Sequence, residues 1–168
     1  MLTAHELFGF MSPALAGDIL TFTFESEKPT YRATLNAVAE ARRVRPVFLE
    51  HKPKAERNTL ILGSLTKPAL ELVAANLLRT WLLKKHKPML VDFLNALDIK
   101  NEEGVVEGLP ASVDDAKLLA AVDGLLAKHP PEAVAVYLNA FNDMNEANWP
   151  NLKALLENDA RLQLGSGA

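Results

Sequence analysis

Apolar residues recur at helical spacing along most of the chain, with little of the strict apolar-polar alternation that marks half-buried strands. Thr3 followed by Glu6 reads as a capping box, and Leu7, Phe8, Phe10 and Met11 form a short apolar helix that Ser12-Pro13 ends and restarts. Ile19 to Phe24 has the β-branched and aromatic character of a strand. Pro13 at a first helical position, Asp18 within the segment and the lack of a pairing partner nevertheless predict helix. Lys28-Pro29 opens a helix whose buried stripe is Tyr31, Leu35 and Val38. Arg42, Arg43 and Arg45 close it with cations at the negative end of its dipole, and Pro46 bends the chain.

Beyond the bend, an apolar run from Asn58 to Leu65 precedes Thr66-Lys67-Pro68. Those three residues start the longest predicted helix, about 68–85, with Leu70, Val73, Leu77 and Trp81 facing inward. Pro88 begins the next helix, with Leu90, Phe93, Leu94 and Leu97 as its apolar positions, and residues 98–110 form the one long irregular stretch. Ser112 is the expected cap of a helix carrying Leu118, Leu119, Val122, Leu125 and Leu126. Pro131 starts another helix, to about Phe141, and Trp149-Pro150 starts the last. The pattern predicts an all-α chain of seven to nine helices, a single domain over residues 1–164 with a frayed tail at 165–168.

Part of the pattern is written more than once. Leu82-Leu83-Lys84-Lys85-His86-Lys87-Pro88 and Phe93-Leu94-Asn95-Ala96-Leu97 return as Leu125-Leu126-Ala127-Lys128-His129-Pro130-Pro131 and Tyr137-Leu138-Asn139-Ala140-Phe141, with one inserted residue. Pro29 and Leu35-Asn36-Ala37 give a weaker third copy, and Val47 to Pro53 a drifted fourth. The best copies lie about 43 residues apart, and in that interval the chain resembles HEAT and armadillo repeats over about residues 28–141. The resemblance implies a right-handed stack of antiparallel helical hairpins; a compact helical bundle with one duplicated hairpin is the alternative.

Charge divides the chain. Residues 1–100 hold 14 Lys/Arg against 10 Asp/Glu and residues 101–168 hold 4 against 11, under a net charge of -3. Such polarity steers association and favours head-to-tail contacts or an anionic partner for the first part of the chain. Cysteine is absent, which excludes disulfides, thiolate zinc sites and cysteine nucleophiles. The N-terminal residues lack a basic signal-peptide region and no apolar run approaches a membrane span, so a soluble cytoplasmic protein is expected, with no membrane partner.

No phosphate loop, nucleophile elbow or paired metal-binding histidines is present. The chain therefore reads as a non-catalytic module without cofactor or metal, binding a protein or peptide. His51, His86 and His129 each precede a proline by two residues, a position suited to the carbonyl end of a helix. Asn36, Asn95 and Asn139 follow the repeat leucine, which resembles the groove asparagines of armadillo domains. The resemblance implies amides that hold a peptide backbone. Arg43, Lys52, Lys54 and Arg57, within a basic stretch over residues 28–57, give the alternative, an anion or nucleic-acid surface, and an enzyme without a recognisable motif is the third reading.

Overall fold

The computed structural model describes residues 1–165. Among them are ten α-helices: α1 (Ala4–Phe10), α2 (Pro13–Ser26), α3 (Lys28–Ala41), α4 (Pro46–Glu50), α5 (Lys54–Leu65), α6 (Glu71–Lys85), α7 (Lys87–Ala96), α8 (Asp115–Lys128), α9 (Pro131–Asn145) and α10 (Pro150–Asn158). Short 3-10 turns occupy Pro68–Leu70 and Ala160–Leu162, and the described residues contain no strand beyond an isolated bridge between Glu102 and Val105. The fold is all-α, with one helix more than the upper expectation because residues 46–50 close a separate short helix. Two compact units divide the chain: residues 2–81, and residue 82 onward together with Met1. The division falls inside α6. Of the expected C-terminal tail, residues 166–168 lie outside the described residues.

In the first unit the start signals act as read. Glu6 accepts from the Thr3 backbone N–H at 2.8 Å, and Ser12 Oγ accepts from the Leu15 N–H at 3.1 Å, so α1 and α2 start with their orphan donors partly satisfied. The strand-like run from Ile19 to Phe24 is helical, and the Thr23 hydroxyl bonds back to the Ile19 carbonyl within α2. α2 packs on α3, α3 on α4 and α5, and α5 on α1 and α2. Leu7, Ile19, Leu35, Val38, Leu49, Ile61 and Leu65 are buried between them. The helix expected from Pro68 begins as a 3-10 turn and becomes α-helical only at Glu71.

The second unit is built around α9, in which every residue from Ala133 to Asn142 is buried. α8, α10 and the Ala160–Leu162 turn pack on α9, and α7 packs on α8. Phe93 of α7 meets Tyr137 and Phe141 edge to face, with ring centroids 5.6 and 5.2 Å apart, and Phe141 continues to Trp149 at 5.3 Å. Burial pushes the Tyr137 phenol far up. The expected apolar positions Leu77, Trp81, Phe93, Leu94 and Leu125 are all buried, as are Tyr137 and Leu138 of the repeated motif.

α8 starts later than expected. Its cap is Asp114, which accepts from the Lys117 N–H at 3.2 Å, and not Ser112. The Trp149 indole holds the Pro110 carbonyl at 3.0 Å and Asn151 holds that of Val113 at 2.8 Å, so the chain before Asp114 stays irregular. In the loop before it, Gly104 has φ +89°, and a Cβ there would lie 3.1 Å from that of Leu90, so both backbone and space require glycine.

The duplicated motif does not produce duplicated corners. Between α6 and α7 a single residue, His86 (φ -112°, ψ 27°), turns the chain; between α8 and α9 two residues do, His129 (ψ 157°) and Pro130 (ψ 131°). Pro130, which stands where the first copy has Lys87, is the cause, because its own φ is fixed and it forces the preceding residue out of the helical region. The corner closest to His86-Lys87-Pro88 is Glu27-Lys28-Pro29, again one non-helical residue (φ -133°, ψ 59°) before Lys-Pro. These two share a further feature: α3 and α7 end in the same Schellman motif, with Arg43 (φ 56°) and Asp98 (φ 55°) left-handed where glycine is usual. Val44 N–H bonds the Ala39 carbonyl, and Ile99 N–H that of Leu94, closing each end.

Candidate functional site

The three asparagines do not form a surface ladder. Asn36 and Asn95 are exposed, but Asn139 is only 4% exposed and donates to the Ala135 carbonyl at 2.8 Å. The position that faces outward on α7 faces inward on α9, because α9 is enclosed on every side. Asn95 Oδ1 also accepts from Asn101 Nδ2 at 3.0 Å, which ties it to the following loop.

The basic stretch is split by its own contacts. Arg57 lies over the Phe24 ring at 5.5 Å and donates to the Glu50 carbonyl at 3.4 Å, so it serves the packing of α2 and α5. Lys52 pairs with Glu56 at 3.0 Å and sits 4.5 Å from the Phe48 ring centroid. Arg43 and Lys54 remain open to solvent, joined by Arg42 and Arg45, which the expected anion-binding set omitted. They flank α4, whose Val47 and Phe48 are 44% and 52% exposed while Leu49 is buried beneath them. A cleft of about 450 Å³ runs beside it, lined by Arg42, Val44, Phe48, Leu49 and Leu60 among others. The surface is thus an apolar bump between cations. The sequence signal was available in Val47-Phe48 set between Arg45 and Lys52, but exposure could not be read from it.

A larger groove, about 560 Å³, lies in the second unit between α8 and α10. Its walls follow helical spacing: Asp115, Leu118 and Leu119 from α8, and Asn151, Ala154, Leu155 and Asn158 from α10, with Asp159 beyond. Each end is clasped by polar contacts. At one end Asn151 Nδ2 donates to Asp115 Oδ1 at 2.9 Å; at the other Arg161 Nη1 donates to Asp123 at 2.8 Å and Nη2 to Asp159 at 2.7 Å. The Arg161 guanidinium holds the Asp159 carboxyl below the usual carboxylate range. Between the clasps the floor is apolar, and Leu119 is 42% exposed. Asp123 lies eight residues after Asp115 in α8, so the two clasps stand roughly 12 Å apart along the helix.

The closest pairing of a histidine with a carboxylate is structural. Glu71 accepts the Ala4 and His5 backbone N–H groups, each at 2.9 Å, and also meets His5 Nδ1. Partial burial pushes its carboxyl up, but these bonds outweigh that and hold it below the usual range, so Glu71 anchors the start of α1. His129 Nε2 likewise meets Asp92 at 3.0 Å, joining the end of α8 to α7. Among the described residues no three His, Asp or Glu side chains cluster to hold a metal, and no single helix is long and apolar enough to cross a membrane.

Fold and groove together define an all-α protein with an open apolar groove rimmed by carboxylates and amides. No protein-family model, curated protein or solved structure matches the chain.

Proposed function

We propose that the chain is a non-catalytic binding module whose α8–α10 groove takes a segment of a protein partner. The observation that supports this reading is the groove itself: an exposed apolar floor about two helical turns long, kept open by a polar clasp at each end. Leu119 and Leu155 supply apolar contact, and Asp115 at one end and, at the other, the excess carboxylate charge of Asp159 and Asp123 around Arg161 select a segment with cations beside its apolar residues. Leu119 lies on the outside of α8, so altering it spares the core. The test is titration of the full chain with a short helical peptide carrying leucines on one face and lysines beside them. Binding by the wild type that is lost in Leu119→Arg and Asp115→Lys supports the reading. Equal binding by all three, or equal binding of a peptide with glutamates in place of the lysines, removes it.

A second reading is favoured by the open cations Arg42, Arg43, Arg45 and Lys54 around exposed Phe48: a surface for nucleic acid, where the cations meet phosphates and the ring stacks on a base. Salt-sensitive binding of single-stranded nucleic acid that disappears in Arg43→Glu/Arg45→Glu is its expected result. Absence of wild-type binding at low salt overturns it.

A further inference from the structure

We propose that the occupant of the α8–α10 groove is a second copy of this chain presenting its α4 bump, an inference that rests on the groove being a protein-docking site. The match is one of charge, polarity and size. α4 projects two neighbouring apolar side chains, Val47 and Phe48, with Arg43 and Arg45 before them and Lys52 and Lys54 after. The groove offers the reverse: Leu119 and Leu155 in the middle, with Asp115 at one end and, at the other, Asp159 with Asp123 just beyond, two carboxylates that share the one Arg161 guanidinium and so leave a negative charge in excess. Five residues of α4 extend about 7.5 Å, which fits within the roughly 12 Å between the clasps. Residues 41–57 carry six Lys/Arg against two Asp/Glu, whereas residues 101–168 carry four against eleven, so approach of the two surfaces is attractive and approach of like surfaces is not.

Because bump and groove are different surfaces, each contact joins the groove of one copy to the bump of another. Phe48 is the anchor, as a large aromatic side chain entering an apolar site carries most of the energy of such a contact. The surrounding charges set orientation and salt dependence.

The experiment uses the full chain in sedimentation velocity across a dilution series from micromolar to millimolar, at low and high salt. Wild type should associate with rising concentration, less at high salt. Phe48→Ser, which damages the bump, and Leu119→Arg, which damages the groove, should each weaken self-association by at least roughly tenfold. Both positions are exposed, and unchanged circular dichroism and melting confirm that the variants fold. An equimolar mixture of the two variants is decisive. Each retains one intact surface, so the mixture should give a one-to-one dimer and nothing larger. A wild type that stays monomeric throughout, variants that associate as wild type does, or a mixture that forms no dimer each overturns the proposal. If self-association fails while the lysine-flanked peptide still binds the groove, the second copy is the wrong occupant and the groove reading stands. If the peptide fails as well, the groove reading goes with it.

Discussion

Replacing Arg43 by glycine should make the protein more stable, although arginine carries the larger side chain. Arg43 has φ 56° at the end of α3, where the Val44 and Arg43 N–H groups close the helix on the Ala39 and Glu40 carbonyls. A non-glycine residue in the left-handed region costs about 1–2 kcal/mol, because its Cβ crowds the following carbonyl. Glycine removes that cost but gives the unfolded chain more freedom, which offsets about 0.4–1 kcal/mol. The net expectation for Arg43→Gly is a gain of about 0.5–1 kcal/mol, since the exposed arginine side chain makes no hydrogen bond or ion pair with the described residues whose loss would subtract from it. Asp98→Gly relieves the same strain at the end of α7 but loses the exposed ion pair of Asp98 with Lys117, worth about 0–1 kcal/mol, so its gain should be smaller. Arg43→Ala keeps a Cβ and should stay within about 0.5 kcal/mol of wild type. Urea titrations with unchanged m-values provide the assay. Destabilisation by Arg43→Gly, or an equal gain in Arg43→Ala, would show that backbone strain is not the cause.

Leu94→Ala and Leu138→Ala remove buried side chains of α7 and α9 and should each cost about 2–5 kcal/mol in denaturant titrations; a loss below about 1 kcal/mol refutes their place in the core. The Glu71 carboxyl is held below its usual range in the folded chain, so the unfolded chain takes up this proton first. The stability it contributes is present above the usual carboxylate range and is lost as pH falls through the lowered value. Melting curves of wild type and Glu71→Gln should therefore converge on acidification from about pH 7 to about pH 3, and a constant gap contradicts the anchoring role. Among the described residues, buried Asn142 has no partner for its Oδ1, and its Nδ2 meets the Met1 sulfur at 3.0 Å. Asn142→Leu should leave stability unchanged or raise it by about 1 kcal/mol, and a large loss in thermal melts would reveal a partner for that oxygen.

The sequence by itself determined the helices and most of their starts. Thr3 with Glu6, Ser12, Lys28-Pro29 and Trp149-Pro150 act through backbone groups only a few residues away, so local chemistry suffices to place them. It also determined which residues are buried wherever the apolar stripe is narrow, as for Leu35, Val38, Leu77 and Trp81. The number of faces a helix buries is a different matter. Asn95 and Asn139 occupy the same place in a repeated motif, yet one is exposed and the other buried, because α9 is surrounded and α7 is not. The start of α8 was likewise decided by Trp149 and Asn151, which hold the Pro110 and Val113 carbonyls from nearly forty residues away. The groove between α8 and α10 and the bump on α4 belong to the same category. Their residues are ordinary leucines, aspartates, a valine and a phenylalanine, whose exposure depends on what packs beside them, and packing between distant segments is a property that only the tertiary structure fixes.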